Sequence, residues 1–547
     1  MTNLRITFLC TSIALSLVLL AAACSGPTNG DGDGEQNGNP DASQSDTADN
    51  TDAGPNGGTD VDGGTMQSEN HACPTGKSCL VYAQNGVTST GNSVEPVGSA
   101  WFVDPAKPSE RVNLSKMAGA KGPVGHMAVD KTGRYVVYEQ EVEIGSKTSD
   151  AGFLVDLAGE NAPTVEKIAD NPSSHYRFSP DSNYMWAMFN NGPTYAAVET
   201  PTRWAKLHEV DDTLEPFGTP RGTSMDSEWG YILVDYLPEQ EPNKISQGVY
   251  RTKLGESPPG LESIFDPRKM NHSDVFHSRY VPEIDLLFVS AGSDSSASDL
   301  FAMAPEPGAK RTKVLDIERA KMMKQDLDAT TLSPDGKKLV FVVKKGEFKG
   351  PSEEANLTLR FVNPDKPDSV LGKADLGTGA VDGSPYGAVD NQQGINWKPD
   401  GSGLVVEAYS SERIWYVDAN SYQATELPKE IPESLLRFGP DGKLYFDSDD
   451  DYKSGPGLYR TEVPNASNIE KLVDMPKTEL NHYFFSADGS QIFFTADTDY
   501  DEGYDLYAAP LSNPADATIL NEKIDKKHER VGHVFVVGAR SGGPGSL

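Results

Sequence analysis

Five of the nine histidines in this sequence lie in short segments that resemble one another. The imidazole side chain is suited both to metal binding and to acid–base catalysis. SSHYRFSPD begins at Ser173 and LNHYFFSAD at Leu480, and in both a histidine stands three places before an aromatic residue. Imidazole commonly binds zinc, copper, nickel and iron, and three or four converging side chains suffice. The five candidates for a ligand or transition-metal site are His126, His175, His277, His482 and His533.

A second candidate is a run of aspartates in FTADTDYDEGYDLY. Its alternate positions resemble the front half of a calcium-binding EF-hand loop, but the twelfth position is Ala508, where a bidentate glutamate belongs. Calcium binding and ordinary solvated turns are both compatible with this pattern. The aspartates are Asp497, Asp499, Asp501 and Asp505.

These residues belong to a recurring unit, seen as TTLSPDGKKLVFVV, INWKPDGSGLVVEAY, LRFGPDGKLYFDSD and YFFSADGSQIFFTAD. In the Pro-Asp-Gly turn, proline presets φ, aspartate bonds its own backbone and glycine accepts a positive φ. The flanking Val, Ile, Phe and Tyr favour strands, so each unit is predicted to begin with a hairpin. Runs such as GLYRT, DLYAA and RTKVLDI follow. Four strands per unit, at spacings mostly between 41 and 55 residues, predict propeller blades.

The units resemble the PD40 repeats of TolB-like (WD40-like) β-propellers over most of residues 80–540. The resemblance implies an all-β chain with a single propeller of four-stranded blades over residues 71–540. Nine units can be counted, but those near Met225 and Tyr280 lack the turn, and propellers typically have four to eight blades. We therefore favour eight blades, with seven to nine open. CLVYAQ lacks an opening strand and HVFVV lacks a following hairpin, so the N- and C-terminal strands are expected to close the ring.

The first strand of each propeller blade runs along the central channel, so the five histidines would form a partial ring near one channel mouth. Propeller oligogalacturonate lyases, which carry similar repeats, hold a metal in the channel with histidines. Three roles remain open: structural lining, a transition-metal site and direct acid–base catalysis. The sequence has no G-x-S-x-G nucleophile elbow and no H-E-x-x-H zinc motif.

Residues 1–23 have the features of an export signal, a short cationic start through Arg5 followed by an apolar run too short to span a bilayer comfortably. LLAAAC resembles the lipobox of bacterial lipoproteins, although Ala21 replaces the usual leucine. This resemblance implies lipidation of Cys24. Ser25, in place of a retention aspartate, implies sorting to the outer membrane, facing either the periplasm or the cell surface. An ordinary signal peptide is the alternative.

Residues 24–70 contain few apolar side chains, so we expect a disordered tether after the lipidated cysteine. A flexible glycine-rich tail is expected at 541–547. Removing the tether's ten acidic residues and Arg5 from the formal net charge of −33 leaves −24 on the body. That charge argues against nucleic acid as a partner. In an exported protein, Cys73 and Cys79 of CPTGKSC are expected to form a disulfide, with a metal-binding pair as the alternative.

Together these features favour a non-enzymatic lipoprotein that is anchored to the membrane and binds an envelope protein or a glycan. One alternative is a metal-dependent lyase or hydrolase of oligosaccharides, acting at a histidine-lined channel mouth. Another is an envelope assembly factor, as the TolB-like resemblance implies. The cofactors compatible with the sequence are a transition metal in the channel and calcium in the loops.

Overall fold

The computed structural model describes residues 73, 77–90, 93–144, 147–158, 163–170, 176–189, 192–206, 223–234, 248–256, 260–270, 274–294, 297–314, 331–345, 355–379, 395–408, 413–431, 436–448, 455–474, 480–497, 503–521 and 530–538. Within them, 36 strands form nine four-stranded antiparallel sheets. The fold is a β-propeller, and we number its blades I to IX around the ring.

The strands of each blade are given from the channel outward. Blade I consists of β36 (Arg530–Gly538), β1 (Ser78–Thr90), β2 (Ser93–Val103) and β3 (Val112–Asn113). Blade II consists of β4 (Val124–Val129), β5 (Tyr135–Ile144), β6 (Lys147–Asp156) and β7 (Thr164–Asp170). Blade III consists of β8 (Arg177–Phe178), β9 (Tyr184–Phe189), β10 (Gly192–Ala197) and β11 (Ala205–Lys206). Blade IV consists of β12 (Thr223–Met225), β13 (Trp229–Val234), β14 (Gly248–Lys253) and β15 (Leu261–Phe265). Blade V consists of β16 (Asp274–Val281), β17 (Leu286–Asp294), β18 (Ala297–Met303) and β19 (Thr312–Lys313). Blade VI consists of β20 (Thr331–Leu332), β21 (Leu339–Lys345), β22 (Ala355–Asn363) and β23 (Lys366–Gly379).

Blade VII consists of β24 (Ile395–Trp397), β25 (Gly403–Ala408), β26 (Arg413–Asp418) and β27 (Ala424–Glu426). Blade VIII consists of β28 (Arg437–Phe438), β29 (Leu444–Ser448), β30 (Gly457–Thr461) and β31 (Glu470–Asp474). Blade IX consists of β32 (Leu480–Phe485), β33 (Gln491–Ala496), β34 (Asp505–Pro510) and β35 (Thr518–Ile519). The described helices are short: α1 (Leu114–Ala118) and the 3₁₀ turns Pro108–Glu110, Pro267–Met270 and Pro282–Ile284. Within the described ranges, no helix is long and apolar enough to cross a bilayer.

The hairpin turns form by the predicted chemistry. In blade IX, the Asp488 carboxylate accepts hydrogen bonds from the Ser486 hydroxyl at 2.6 Å and the Ser490 amide at 3.0 Å, while Gly489 has a φ of 70°. These hydrogen bonds, chiefly the one from Ser486, lower the pKa of Asp488 to about 2. Local bonds of this kind fix each turn and therefore the register of the two strands that it joins.

The described apolar residues form nine buried clusters, one between each pair of neighbouring blades, and this requires a closed ring. Each sheet is apolar on both faces because each face packs on a neighbouring blade. Among the described residues, the smallest cluster lies between blades III and IV. Its buried members are Trp186, Tyr195, Met225 and Leu254.

The two ends of the propeller chain meet in blade I, as the sequence predicted. β36 is the innermost strand and pairs with β1, with Val81 opposite Phe535. The prediction of eight blades was one too few, although nine lay within the predicted range. The unit near Met225 is a complete blade, because the Asp226 carboxylate accepts the Glu228 and Trp229 amides at 2.6 Å and so forms the turn without a Pro-Asp-Gly sequence.

Alternating strand directions give the propeller two distinct ends. The third and fourth strands of every blade, and the first and second strands of blades II to IX, are joined at one end, which we call the turn end. The second and third strands, and successive blades, are joined at the other, which we call the loop end. The strands that flank the longer connections, 207–222, 235–247, 315–330 and 380–394, meet them at the loop end, and the connections themselves lie outside the described residues. Binding residues are commonly carried on such connections.

Candidate functional site

On the innermost strands, the histidines singled out from the sequence stand at or beside β-bulges. In β4 two residues, Gly125 and His126, face the single residue Glu139 across the ladder. The register also shifts immediately before His277 in β16 and His482 in β32, and His533 is the extra residue in β36. Bulges re-aim side chains and are frequent beside active sites.

Three of the histidines at or beside bulges cluster along one part of the ring. His482, His533 and His126 belong to the consecutive blades IX, I and II, and His277 belongs to blade V. His175 lies outside the described residues, as does the side chain of His277. The structure therefore places three described imidazoles on neighbouring inner strands.

His482 lies in a basic and aromatic environment. Its pKa is lowered by burial first, and then by the nearby positive charges of Arg437 and His533. The Arg437 guanidinium lies 5.1 Å from the centre of the Phe484 ring, and the His482 and Phe484 rings are 6.3 Å apart. The inner strands of blades VIII and IX therefore combine an arginine, a neutral imidazole and an aromatic ring, in a protein whose net charge is −33.

A neutral imidazole such as that of His482 has the chemistry of a metal ligand. Within the described part of the chain, however, no group of three or more His, Cys, Asp or Glu side chains is arranged to hold a metal ion.

Glu139 is a functional candidate that the sequence analysis missed. This half-buried carboxyl lies on β5 opposite the bulge of His126. Burial, with a smaller contribution from the negative charge of Asp150, raises the pKa of Glu139 to about 7. A carboxyl that titrates near neutral pH can hold or release a proton, as general acid–base catalysis requires.

Tyr176 of blade III reaches across the same face of blade II. Its side chain is fully buried, and burial, followed by the charge of Glu139, raises the pKa of its hydroxyl. The hydroxyl occupies space left by Gly152, because a Cβ there would lie only 2.0 Å from the Tyr176 oxygen. Glu139 and Gly152 are paired residues of β5 and β6, so the tyrosine packs beside the carboxyl. Only the packing of two blades brings these two residues together.

The calcium candidates are only partly described. Asp505 is buried, and its carboxylate accepts a hydrogen bond from the Asn521 side-chain amide at 2.8 Å. The Asn521 carbonyl oxygen in turn accepts the Leu506 amide, which ties β34 to the segment after β35. Asp497 follows β33, and Asp499 and Asp501 lie outside the described residues.

The two cysteines at the start of the propeller form a disulfide between Cys73 and Cys79, with Cα atoms 5.7 Å apart. Cys79 is buried in β1, between β36 and β2. The bond therefore fixes the chain entering the propeller to an interior strand of blade I. Cys24 lies outside the described residues.

No protein-family model and no curated protein matches this sequence. Solved structures with a similar chain path include a eukaryotic initiation factor, with 12% identity, a TM-score of 0.40 and coverage of 85% of this chain and 99% of that one. An oligogalacturonate lyase in complex with manganese has 12% identity, a TM-score of 0.36 and coverage of 70% and 97%. A putative TolB from Agrobacterium tumefaciens has 16% identity, a TM-score of 0.26 and coverage of 45% of this chain and 79% of that one. These neighbours differ in function, so the likeness describes the fold alone.

Proposed function

We propose that this protein is a lipid-anchored β-propeller of the bacterial cell envelope that binds a protein or glycan ligand at the loop end of its channel. The observation that carries the proposal is the set of bulges at His126, His482 and His533 on three consecutive inner strands. In these three blades a bulge disrupts the ladder between the first and second strands, at or beside the histidine, and this is expected where side chains are aimed at a ligand.

Membership of the TolB-like PD40 propellers is part of this proposal, and it is supported by the Pro-Asp-Gly hairpins of the blades. The lipobox-like LLAAAC and the acidic tether support attachment through Cys24 at the outer membrane. Metabolic labelling with a radioactive fatty acid tests the anchor. The full-length protein should be labelled and sediment with membranes, whereas Cys24→Ser should lose both properties.

Site-specific photo-crosslinking in the producing cell tests where the ligand binds. p-Benzoylphenylalanine at position 533, which is exposed on β36, should give an adduct with one envelope component. The same probe at position 337, in the turn-end hairpin of blade VI, is the matched control. Equal adducts at both positions, or none at 533, would contradict binding at the loop end of the channel. A protein adduct would favour an assembly role, and a glycan adduct would favour glycan binding.

A second candidate function is a lyase or hydrolase of oligosaccharides, and the raised pKa of Glu139 beside the bulge of His126 is the observation that favours it. Purified protein should then produce new chain ends from an oligosaccharide substrate, and Glu139→Gln should abolish this activity. Loss of turnover on adding a chelator would indicate the metal-dependent form. Absence of turnover across neutral and acidic oligosaccharides would exclude both forms for those substrates.

A further inference from the structure

A surface cavity of about 610 Å³, open to solvent, lies between blades II and III, away from the channel histidines. One wall is β7, the outermost strand of blade II, and the other is formed by β9, β10 and the segment before β11 of blade III. Its volume falls in the range of small-molecule sites.

The blade III wall is aromatic and held in place. The Trp204 indole N–H donates a hydrogen bond to the Ile168 carbonyl at 2.8 Å. Ile168 is the extra residue of a bulge in β7, between the pairs of Gly152 with Ala169 and Phe153 with Lys167. Since this hydrogen bond fixes the indole across the interface, little side-chain entropy remains to be lost when a ligand binds.

Phe189 completes the aromatic wall. Its ring meets that of Trp204 edge to face, with centroids 5.1 Å apart. Both side chains are half-buried and line the cavity, so apolar ring surface is available to a ligand. Aromatic surfaces of this kind pack well against the C–H face of a flat ring.

Among the described residues, the rim of the cavity is polar but carries no net charge. Lys167 and Asp170 form an ion pair at 2.6 Å, and both side chains remain largely exposed. Thr194 and Thr202 also line the cavity, and the buried Thr194 hydroxyl donates a hydrogen bond to the Ala187 carbonyl at 3.3 Å. Together these groups offer both donors and acceptors without an uncompensated charge to attract an ion.

We propose that this cavity binds a neutral saccharide, with a sugar ring against Phe189 and Trp204 and its hydroxyls on the polar rim. A pyranose combines an apolar face with an edge of groups that both donate and accept hydrogen bonds, and so it matches both parts of the cavity. An apolar peptide side chain would match only the aromatic wall, and an acidic sugar would meet the Asp170 carboxylate without a net positive charge. The site is separate from the channel and goes beyond the function proposed above.

Titration calorimetry on the full mature protein tests this inference. The probes are three neutral saccharides (cellobiose, maltotriose and diacetylchitobiose), the acidic digalacturonate and an uncharged Phe-Leu dipeptide. At least one neutral saccharide should bind, and digalacturonate and the dipeptide should bind at least 10-fold more weakly. Failure of all three neutral saccharides, or preferential binding of either comparison probe, would overturn the proposal.

Matched variants locate the binding. Phe189→Leu retains apolar volume but removes the flat ring, and it should weaken saccharide binding at least 10-fold. Trp204→Phe should also weaken binding and abolish any ligand-induced change in tryptophan fluorescence. Trp397→Phe, at the interface of blades VI and VII, is the control and should change neither property. Unaltered binding by both cavity variants, each verified as folded by its melting temperature, would refute the assignment. Because Phe189 and Trp204 lie outside the inner strands, the result is independent of crosslinking at position 533.

Discussion

Replacing Glu139 with glutamine should remove a pH-dependent loss of stability. The folded protein raises the pKa of this carboxyl from 4.5 to about 7, chiefly by burial. Below pH 4.5 the group is protonated in both the folded and unfolded states. As the pH rises toward 7, the unfolded state releases the proton first, so the wild-type protein loses stability across this interval and no more above it. Glutamine cannot ionise, and the variant should not show this loss.

The magnitude follows from the size of the pKa change. At 1.36 kcal/mol per pKa unit, a rise from 4.5 to about 7 corresponds to roughly 3 kcal/mol. Glu139 is only half-buried, so solvent screening reduces this to roughly 1–2 kcal/mol. With an unfolding entropy of about 2.1 cal/mol/K per residue over the ~460 residues of the propeller, the expected change in melting temperature is about 1–2 °C.

Scanning calorimetry at pH 5 and pH 8 measures this effect. The melting temperature of Glu139→Gln relative to wild type should rise by about 1–2 °C between the two pH values. Glu306→Gln, at an exposed carboxyl, is the control and should parallel wild type. If Glu139→Gln also parallels wild type, the carboxyl is not desolvated in the folded protein and the reasoning fails.

Three further predictions concern the same interfaces. Gly152→Ala should destabilise the protein by about 1–3 kcal/mol, because the new Cβ would meet the Tyr176 hydroxyl. In a double-mutant cycle, Tyr176→Phe should recover part of this loss, and purely additive effects would contradict the contact. Tyr483→Phe should lower the free energy of unfolding by about 1–2 kcal/mol, because the buried Tyr483 hydroxyl donates a hydrogen bond to a backbone carbonyl at 2.9 Å. Urea unfolding measures the change, and an unaltered free energy of unfolding would refute the prediction. His482 should titrate below its ordinary pKa of 6.5 in an NMR titration, and Arg437→Gln should raise its midpoint; an unchanged midpoint would show that the two charges do not interact.

The blade architecture was predictable because each turn is local. Residues such as Asp488 and Gly489 form their turn through contacts within a few residues, so the sequence pattern specifies the hairpin directly. The count was harder to predict, because Asp226 forms the equivalent turn in blade IV without proline or glycine. A pattern based on Pro-Asp-Gly underestimates such units.

The candidate sites were less predictable, because they depend on packing between blades. The histidine register was visible in the sequence, but the bulges that accompany it depend on pairing with the second strand. Glu139 has no local signal at all, since its pKa is raised by burial near Tyr176 of the next blade. Phe189 and Trp204 likewise become one wall of a cavity only when blade III packs on Ile168 of blade II.

The disulfide at the entry to blade I has a mechanical consequence. Any pull on the N-terminal segment passes from Cys73 through the sulfur atoms to Cys79, and so reaches β1 directly. That strand is hydrogen-bonded on both sides, to β36 and β2, so its ladders would be loaded in shear and would not unzip one bond at a time from an edge. A ring fastened in this way should withstand tension along a tether better than one whose first strand lies at the outer margin of a blade.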